Sequence, residues 1–394
     1  MLHHLVIVGA GPVGATAALA LADSELDVVA LDGRGAGAIA RGDRSLALSH
    51  GSRLILERLG VWAQVAAEPG AVTPIEAIEI SQRGGFGRVR LEAEEQDLPA
   101  LGYVVSYRAL QSVLDAALSR AGRSIVHGAR VTRVSARPAH VVVEADCGGT
   151  RAEYTSRLVV LADGGGELAP ELTRRRHDYA QVALVGKAWP REPHRGVACE
   201  RFTPEGPMAL LPEADHYGFV WTTSPVNAEA LCALPDAEFL HRLETAFGPC
   251  LDARARAGTP SFLRVDERRT FPLALEFVGK VVGERLALMG NAAQALHPVA
   301  GQGFNLGLRD AYELAQELLA TTRDEIGSRE SLARYARRRQ PDRLAGIGLT
   351  HGLLGVFGAG ASWLRWPRGL ALTLLDASPV AKRMFTRAML FGVR

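Results

Sequence analysis

The chain has 394 residues and a formal net charge of +2, from 45 lysines and arginines against 43 aspartates and glutamates. Its 47% content of hydrophobic residues predicts a globular protein with one large core or two smaller ones. The near balance of charge excludes the broad basic surface that nucleic-acid binding requires. The cysteines Cys147, Cys199, Cys232 and Cys250 are far apart in the sequence, which fits free thiols in a reducing compartment.

The N-terminal segment has the pattern of a strand-turn-helix-strand unit that binds a dinucleotide. An apolar strand, residues 5–8, leads into Gly9, Gly11 and Gly14, and an alanine-rich helix and a second strand ending on Asp32 follow. In this motif the first glycine makes the turn, the second admits a pyrophosphate, and the third lets helix and strand pack closely. Asp32 is then placed to accept hydrogen bonds from ribose hydroxyls. The motif serves NAD and FAD alike, so it does not choose between them.

Residues 5–22 are apolar enough to suggest the core of a signal peptide. No basic segment precedes them and three glycines interrupt them, so we expect a folded segment instead. No other apolar run reaches the length of a membrane span. We therefore expect a cytoplasmic protein, either free or attached at the inner face of the membrane.

Two arginines lie near the starts of predicted helices, one in the loop before a helix and one in a first turn. A helix that ends near residue 59 follows a loop holding Arg44, and Ser106 is placed to cap a helix over residues 107–121, with Arg108 in its first turn. The apolar residues of the second helix share one face, and Arg108 points away from it. By itself, Arg44 is most simply a solvated side chain.

Strand patterns over residues 75–81 and 89–91 indicate a first excursion into an antiparallel layer. Residues 182–275 continue that layer as short strands with one helix, residues 236–247. Its strands 206–212 and 217–221 form either an apolar wall for a ligand or ordinary sheet packing.

An apolar strand, residues 157–162, runs into Asp163 and Gly164. This is the sequence that a parallel sheet presents at its carboxyl edge, where ligands bind. Further on, a buried strand over residues 286–289 leads through a loop rich in glycine to a helix over residues 308–320. Gly301, Gln302 and Gly303 lie where a ligand approaches the main chain at a helix mouth, with free N–H donors and a partial positive charge that suit an electron-rich carbonyl.

The chain beyond residue 320 is helical in pattern. A helix over residues 332–340 is expected to kink or end at Pro341, and Ser378 caps a final helix that Pro379 begins. The final helix carries apolar and basic residues on different sides, and Trp363 and Trp366 precede it. Two arrangements are open: this tail rests on a membrane surface, or it packs onto the protein's own core.

Three motifs in this order resemble those of the class A flavoprotein aromatic hydroxylases, within them the ubiquinone-biosynthesis hydroxylases. They are residues 9–14, Asp163-Gly164, and the loop 290–305, which matches the family's late G-D-A-A-H-x-x-x-P-x-x-G-Q-G-x-N motif over most positions. Residues 44–48, 200–203 and 301–307 look most like the 2-polyprenyl-6-methoxyphenol hydroxylase branch.

The resemblance implies an α/β fold: a Rossmann-type, p-hydroxybenzoate-hydroxylase-like FAD-binding domain with an interleaved antiparallel-sheet substrate domain and a C-terminal helical segment. We assign residues 1–71, 107–176 and 276–325 to the FAD-binding domain. Residues 72–106 and 177–275 form the substrate domain, and residues 326–394 the helical region.

The resemblance also implies an enzyme. NAD(P)H reduces FAD, dioxygen adds at flavin C4a, and the resulting hydroperoxide hydroxylates a polyprenylated phenol in ubiquinone biosynthesis. Only one dinucleotide fingerprint is present, so NAD(P)H visits as a co-substrate. A ubiquinone-biosynthesis assembly and a membrane surface are further partners that the resemblance suggests.

Site roles follow from the same resemblance. Asp32 would bind the adenosine ribose, Arg44 and Arg108 would contact the flavin nucleotide, and Asn291 would reach the ribityl or pyrophosphate region. Pro298 and the loop to Gly303 would face the isoalloxazine ring. His297 lies beside the expected flavin, and both a structural role and a contact with the phenol are open.

The sequence departs from the family in three respects. Asn291 replaces a carboxylate, Glu167 and Pro170 stand where a serine and an arginine are usual after Asp163-Gly164, and no residue is marked as a catalytic acid or base. Two other functions therefore stay open. One is a flavin reductase or halogenase of the same fold, although the halogenase W-x-W-x-I-P motif is absent from the sequence. The other is a non-catalytic flavoprotein subunit of a quinone-biosynthesis assembly.

Overall fold

Two large mixed sheets organise the chain. The computed structural model describes residues 1–35, 37, 44–123, 125–165, 167–248, 250–251, 257–258, 260–357 and 364–393. The strands are β1 (Leu2–Val8), β2 (Val28–Asp32), β3 (Ser45–Ser49), β4 (Val72–Ile75), β5 (Ala77–Gln82), β6 (Arg88–Glu92), β7 (Gly102–Ser106), β8 (Ile125–His127), β9 (Ala129–Ala136), β10 (Val141–Cys147), β11 (Thr150–Leu161), β12 (Arg174–Pro190), β13 (Val197–Thr203), β14 (Gly206–Glu213), β15 (His216–Thr223), β16 (Cys250–Leu251), β17 (Ala257–Gly258), β18 (Phe262–Val265), β19 (Arg269–Val278), β20 (Val282–Gly283), β21 (Leu286–Leu288) and β22 (Gln294–Ala295).

The helices lie between and after these strands. They are α1 (Pro12–Ala20), α2 (His50–Arg58), α3 (Trp62–Ala67), α4 (Tyr107–Arg120), α5 (Pro225–Ala233), α6 (Asp236–Phe247), α7 (Gln302–Leu319), α8 (Arg329–Phe357), α9 (Arg365–Ala377) and α10 (Pro379–Phe391). Short 3₁₀ turns occupy Glu94–Gln96, Gly290–Ala292, Val299–Gly301 and Arg323–Glu325.

The first sheet has a parallel centre. Its path runs β20-β21-β11-β1-β2-β8, and β1 pairs in parallel with both β2 and β11, while β11 pairs in parallel with β21. These strands are apolar runs whose side chains are buried on both faces, as is usual in parallel sheets. Their side chains, with those of α1, α4 and α7, form the largest hydrophobic cluster.

The second sheet runs β22-β19-β12-β15-β14-β13-β5-β6 and is mostly antiparallel. Its aromatic residues Tyr217, Phe219 and Trp221 are buried in one cluster with Phe239 of α6. A third sheet, β3-β7-β4, is the smallest of these three. The α/β class and the interleaved antiparallel layer predicted from the sequence are confirmed.

Several element predictions were incomplete or wrong. Residues 45–49 form a strand between Arg44 and α2, and the strand expected over residues 157–162 begins earlier, at Thr150, and ends at Leu161. The second layer contains two helices, α5 and α6, and its strand β12 is 17 residues long. α5 escaped prediction because its apolar residues do not recur on one face.

Helix α8 runs through Pro341, which does not end it. Side chains on both sides of the proline hold the helix in place: Arg339 donates to Asp310 at 2.7 Å, and Arg343 donates to Gln294 at 2.7 Å. This buried packing offsets the cost of about 3 kcal/mol that a proline imposes in a helix interior.

The tail packs on the body of the protein through one side only. Ser378 caps α10, as predicted, by accepting from the amide of Ala381. Leu372 of α9 and Leu390 of α10 belong to a cluster with Val299 and Phe202. Trp363 lies outside the described residues. Among the helices in the described ranges, none is both long and apolar enough to cross a membrane.

Candidate functional site

The ends of four parallel strands define the site. β1, β2, β11 and β21 point the same way, so their carboxyl ends meet at one edge of the first sheet. The residues at or just after these ends, Gly9, Asp32, Ala162 and Met289, line a single cavity of about 850 Å³.

The three glycines of the fingerprint have separate structural reasons. Gly9 has a φ of +95°, and a Cβ there would lie 2.6 Å from the Ala162 carbonyl oxygen. A Cβ on Gly14 would lie 1.9 Å from the Gly9 oxygen, so that glycine is required for helix α1 to pack on β1. At Gly11 the nearest atom to an added Cβ is the Tyr107 hydroxyl at 4.0 Å. The chain itself therefore does not need Gly11, which leaves open the space where a pyrophosphate would approach α1.

The start of α1 offers the donors for that pyrophosphate. The first-turn amides of a helix have no carbonyl partner within the helix. In α1 the N-cap is Gly11, and no side chain caps these amides either. Arg44 also lines the cavity, with its guanidinium carbon 4.5 Å from the ring centre of Tyr107. A helix N-terminus and a guanidinium together suit a diphosphate group.

Asp32 is the last residue of β2 and lies beside the loop that leads into α1. Its carboxylate accepts from the amide of Ala10 at 2.8 Å and from the side chain of Arg34, whose Nη2 lies 2.8 Å away. Burial works to raise the pKa of Asp32, but the hydrogen bonds from Arg34 and Ala10 outweigh it and hold the pKa below its ordinary value. The residue is an anion at neutral pH, as an acceptor for ribose hydroxyls must be.

Asn305 fixes the loop that enters α7. Its Oδ1 accepts from the amide of Ser49 at 2.8 Å and from the hydroxyl of Ser52 at 2.7 Å. Its Nδ2 donates to the carbonyls of Ala47 at 2.9 Å and Gly301 at 2.8 Å. One buried amide thus joins the first turn of α7 to strand β3, which directly follows Arg44.

The helix mouth differs from the expectation in one respect. α7 begins at Gln302 rather than at residue 308, and Gly301, with a φ of +58°, is its N-cap. The Gly301 amide donates to the Pro298 carbonyl at 2.9 Å and is not available to a ligand. The donors of this mouth are therefore the first-turn amides that follow, beginning at Gln302 and Gly303.

Gln294 stands where the family has a histidine, and it is fully buried. It donates to Asp310 at 2.6 Å and accepts from Arg343 at 2.7 Å, and Arg339 donates to the other oxygen of Asp310. This network ties the loop of Gly290–Ala292 to α7 and α8. Asn291, by contrast, is exposed and lines the cavity.

His297 is 1% exposed and also lines the cavity. Its Nδ1 accepts from the amide of Val299 at 3.1 Å, so Nε2 carries the proton, and Nε2 has no hydrogen-bond partner among the described residues. Its ring meets that of Tyr179 edge-on at 5.6 Å. Burial lowers the pKa of His297 to about 4.

The second sheet supplies one wall of the same cavity. Leu211 of β14 and Val220 of β15 line it, next to Ser45. Ser45 donates to Glu213, which also accepts from Lys187 at 3.0 Å. Burial works to raise the pKa of Glu213, but hydrogen bonds from His216, Ser45 and Lys187 outweigh it and lower the pKa to about 2.

Most of the residues that the sequence singled out come together in this cavity. Those that line it are Gly9, Gly11, Asp32, Arg44, Asp163, Gly164, Asn291, His297, Pro298, Gly301 and Gly303. Gly14, Arg108 and Gln302 are not among the lining residues. Gly14 serves the packing of α1, Arg108 is exposed on α4, and Gln302 is buried with its side-chain amide 3.5 Å from the Met389 carbonyl.

Sequence reasoning missed Arg34, Ser45 and Tyr107, which also line the cavity. A signal existed for two of them. Arg34 follows the predicted strand-end acid by two residues, and Tyr107 is the first helical residue after the predicted Ser106 cap. Ser45 lies in the segment 44–48 that carries the family resemblance, but nothing local predicts its contact with Glu213, which is distant in the sequence.

A family model described as an FAD binding domain matches residues 3–344. The chain belongs to this family. FAD is therefore its cofactor, and the residues around the cavity fit it, since Gly11 leaves space at the α1 N-terminus and Asp32 and Arg44 bear charges suited to a ribose and a diphosphate.

Proteins of similar sequence agree with this assignment. The chain is 32% identical to the ubiquinone hydroxylase UbiL of Rhodospirillum rubrum, over 97% of this chain and 88% of that protein. It is 29% identical to the 3-demethoxyubiquinol 3-hydroxylase of Escherichia coli, over 96% of each. The expected family of FAD-dependent monooxygenases is thereby confirmed, and NAD(P)H use is typical of it.

Among solved structures, the p-nitrophenol 4-monooxygenase PnpA from Pseudomonas putida superposes with a TM-score of 0.78 at 18% identity, covering 100% of this chain and 99% of that one. This likeness shows the fold, and the expected p-hydroxybenzoate-hydroxylase-like class is confirmed.

Proposed function

We propose that this FAD-dependent monooxygenase hydroxylates the aromatic ring of a polyprenylated phenol in ubiquinone biosynthesis, using NAD(P)H and O₂. The observation that carries the proposal is the single cavity, which joins the dinucleotide fingerprint to the α7 mouth and to the apolar wall of Leu211 and Val220. The names of the relatives in ubiquinone biosynthesis support the substrate class.

On this proposal the first sheet belongs to the FAD-binding domain and the second to the substrate domain. The amides at the start of α1 and the guanidinium of Arg44 would hold the pyrophosphate, and Asp32 would bind the adenosine ribose. Asn291 would bind the flavin nucleotide between these groups and the loop. Bound FAD would supply the acceptance of hydride and the activation of dioxygen.

The protein's part in the reaction is electrostatic and steric. The first-turn amides of α7 and the positive end of its dipole stabilise negative charge on a ring carbonyl edge. Asn305 holds the turn that carries those amides next to β3 through its hydrogen bonds to Ser49 and Gly301. The apolar wall and Phe304 exclude water from the ring, which protects a reactive intermediate from side reactions.

His297 supports substrate positioning. It is uncharged at neutral pH because its pKa is about 4, so it acts as a neutral donor and not as a cation. Its Nε2–H has no partner among the described residues and would donate to the phenol oxygen. Pro298, the next residue, is exposed on the cavity surface and would face the flavin ring.

Deletion of the gene in its host, followed by mass spectrometry of the quinone precursors, tests the substrate class. We expect a prenylated phenol lacking one hydroxyl to accumulate and quinone to fall. Unchanged quinone and precursor levels would contradict the proposal. In vitro, the purified holoprotein and a methoxyphenol analogue should consume NAD(P)H and incorporate one atom of heavy-isotope O₂ into the ring.

The same assay separates the alternatives. A reductase or halogenase would consume reductant without placing oxygen in the ring, and a non-catalytic subunit would show no stimulation of NAD(P)H oxidation by the phenol.

A further inference from the structure

Helices α9 and α10 expose an apolar ridge. Trp366, Leu370 and Leu374 recur every four residues along α9 and are 74%, 53% and 59% exposed. Val380 and Met384 continue this spacing on α10, at 71% and 69% exposed. Residues four apart lie on one face of a helix, so these side chains form two adjoining stripes. We call these five residues the apolar ridge.

The ridge is not the core-facing side of either helix. α9 buries Gly369 and Leu372, and α10 buries Thr386 and Leu390. Leu372 and Leu390 lie in the cluster that also holds Val299 of the cavity loop. Because each helix already packs by another face, the ridge stays largely exposed. Its Trp366 ring packs on the ring of Phe86, 5.1 Å away between ring centres, and Phe86 is itself 43% exposed.

Charge on α9 and α10 is mainly positive, although Lys382 pairs with Glu95 of the body at 2.9 Å. Residues 364–393 contain the basic residues Arg365, Arg368, Lys382, Arg383 and Arg387. The one acid in this range is Asp376, and it lies 3.4 Å from the Lys382 amine. An amphipathic helix with apolar and basic faces is typical of segments that lie on anionic lipid.

A second basic feature adjoins α10. A cavity of about 600 Å³ lies between α2, α7, α8 and the end of α10. Five arginines and two acids line it: Arg58, Arg309, Arg338, Arg339, Arg387, Glu313 and Asp342. Arg387 lies three residues from Met384, so the cavity opens beside the ridge. The Nη1 of Arg309 is buried there without a hydrogen-bond partner in the described part of the chain.

We propose that the apolar ridge and the neighbouring arginines dock the protein on an anionic lipid surface, with the ridge among the acyl chains and the arginines at the phosphates. A second copy of the chain is a poorer occupant, because a two-fold interface on this face would bring like charges together. The docking does not depend on the proposed reaction. If the substrate is prenylated, the ridge places the lipid one apolar cluster away from Val299, which follows the cavity-lining residue Pro298.

Vesicle sedimentation with the purified holoprotein tests the proposal. We expect binding to vesicles of phosphatidylglycerol and phosphatidylethanolamine, and weaker, salt-insensitive binding to phosphatidylcholine alone. The double variant Leu370→Ser with Leu374→Ser should reduce the partition constant about 100-fold, at roughly tenfold for each leucine withdrawn from lipid. FAD content and circular dichroism should be unchanged, because both side chains are exposed.

The matched control is Leu263→Ser with Leu319→Ser, two leucines that are 58% and 48% exposed on other elements. It should bind vesicles as the wild type does. Arg383→Gln with Arg387→Gln should weaken binding to anionic vesicles about fivefold per residue, while Arg175→Gln with Arg242→Gln should not.

Three results would overturn the proposal. One is a wild-type protein that stays in the supernatant with anionic vesicles. Another is a ridge variant that binds as well as its control. The third is a stable dimer in sedimentation velocity that the ridge variant dissociates. Because no turnover is measured, failure of docking and failure of the proposed reaction are distinguishable.

Discussion

Asn305→Ala should both destabilise the protein and weaken its hold on FAD. The substitution removes four hydrogen bonds of 2.7 to 2.9 Å that a 3% exposed side chain makes to β3, α2 and the Gly301 carbonyl. It leaves two buried donors and two partly buried carbonyls without this partner. Gly301, the αL residue that starts α7, then loses its link to the strand that follows Arg44.

The size of the effect follows from those contacts. A net hydrogen bond is worth about 1 kcal/mol, and a buried group left without a partner costs about 1–3 kcal/mol. The Ser52 hydroxyl can turn to the Ser49 hydroxyl, 3.3 Å away, so one of the four losses is partly recovered. We expect unfolding to become easier by about 3–4 kcal/mol and FAD affinity to fall by about tenfold or more.

Two measurements check this prediction. Chemical denaturation of the apoprotein followed by circular dichroism gives the change in stability, and fluorescence titration of FAD gives the affinity. Asn227→Ala is the matched control, since its side-chain amide donates to Thr223 at 2.8 Å and Glu205 at 3.1 Å, and none of these three residues lines the cavity. It should cost less than about 1 kcal/mol and leave FAD affinity unchanged.

The reasoning would be refuted by an Asn305→Ala protein that keeps wild-type FAD affinity. That result would mean the position of the α7 mouth does not depend on this amide. An equal effect of Asn227→Ala would show that any lost side-chain amide has the same consequence.

The remaining predictions concern the cavity walls. Gly11→Ala should leave the apoprotein as stable or more stable by about 0.5 kcal/mol, because its φ of −60° suits alanine, yet weaken FAD binding measured by titration. Gly14→Ala should destabilise the apoprotein, measured by denaturation, because no shift accommodates a Cβ 1.9 Å from a carbonyl oxygen. Asn291→Ala should reduce FAD retention on gel filtration without changing apoprotein stability, since the side chain is exposed. His297→Gln should flatten the pH dependence of stability: with a folded pKa of about 4 against an ordinary 6.5, the wild type should be fully stabilised above pH 6.5 and lose about 3 kcal/mol as pH falls to 4.

Each of these has a contrary outcome. Unchanged FAD affinity in Gly11→Ala would show that the pyrophosphate does not approach α1 at this point. A stable Gly14→Ala protein would contradict the tight contact with Gly9, and full retention of FAD by Asn291→Ala would mean that its loop lies elsewhere. A His297→Gln protein with the wild-type pH profile would assign the acid sensitivity to other groups.

The features that the sequence determined are local ones. β1, α1 and β2 follow from an apolar run, three glycines and an alanine-rich segment, and the structure confirms each of them. The caps at Ser106 and Ser378 also depend only on neighbours in the chain, because a cap needs one hydroxyl and an amide three residues on. The predicted family rested on three such local motifs in order.

Local pattern failed where distant residues decide the outcome. The first turn of α7 is rich in glycine and has no apolar period of its own, so the sequence pattern places the helix start at residue 308. In the structure Asn305 holds that first turn to β3. Pro341 should interrupt a helix, yet Arg339 and Arg343 bind Asp310 and Gln294 across to other elements and keep α8 continuous.

The sequence alone thus predicts the chemistry of the loop at residues 290–307, but it does not predict which residues surround the loop. Glycines and a helix mouth predict a place for a ring carbonyl whatever lies nearby. Only the tertiary structure brings that mouth to the fingerprint at Gly11, because β21 pairs with β11 and β11 with β1, all in parallel. The Gly301 amide, by contrast, is removed from the available donors by a local 3₁₀ turn that pairs it with Pro298, a backbone contact that no side-chain pattern records.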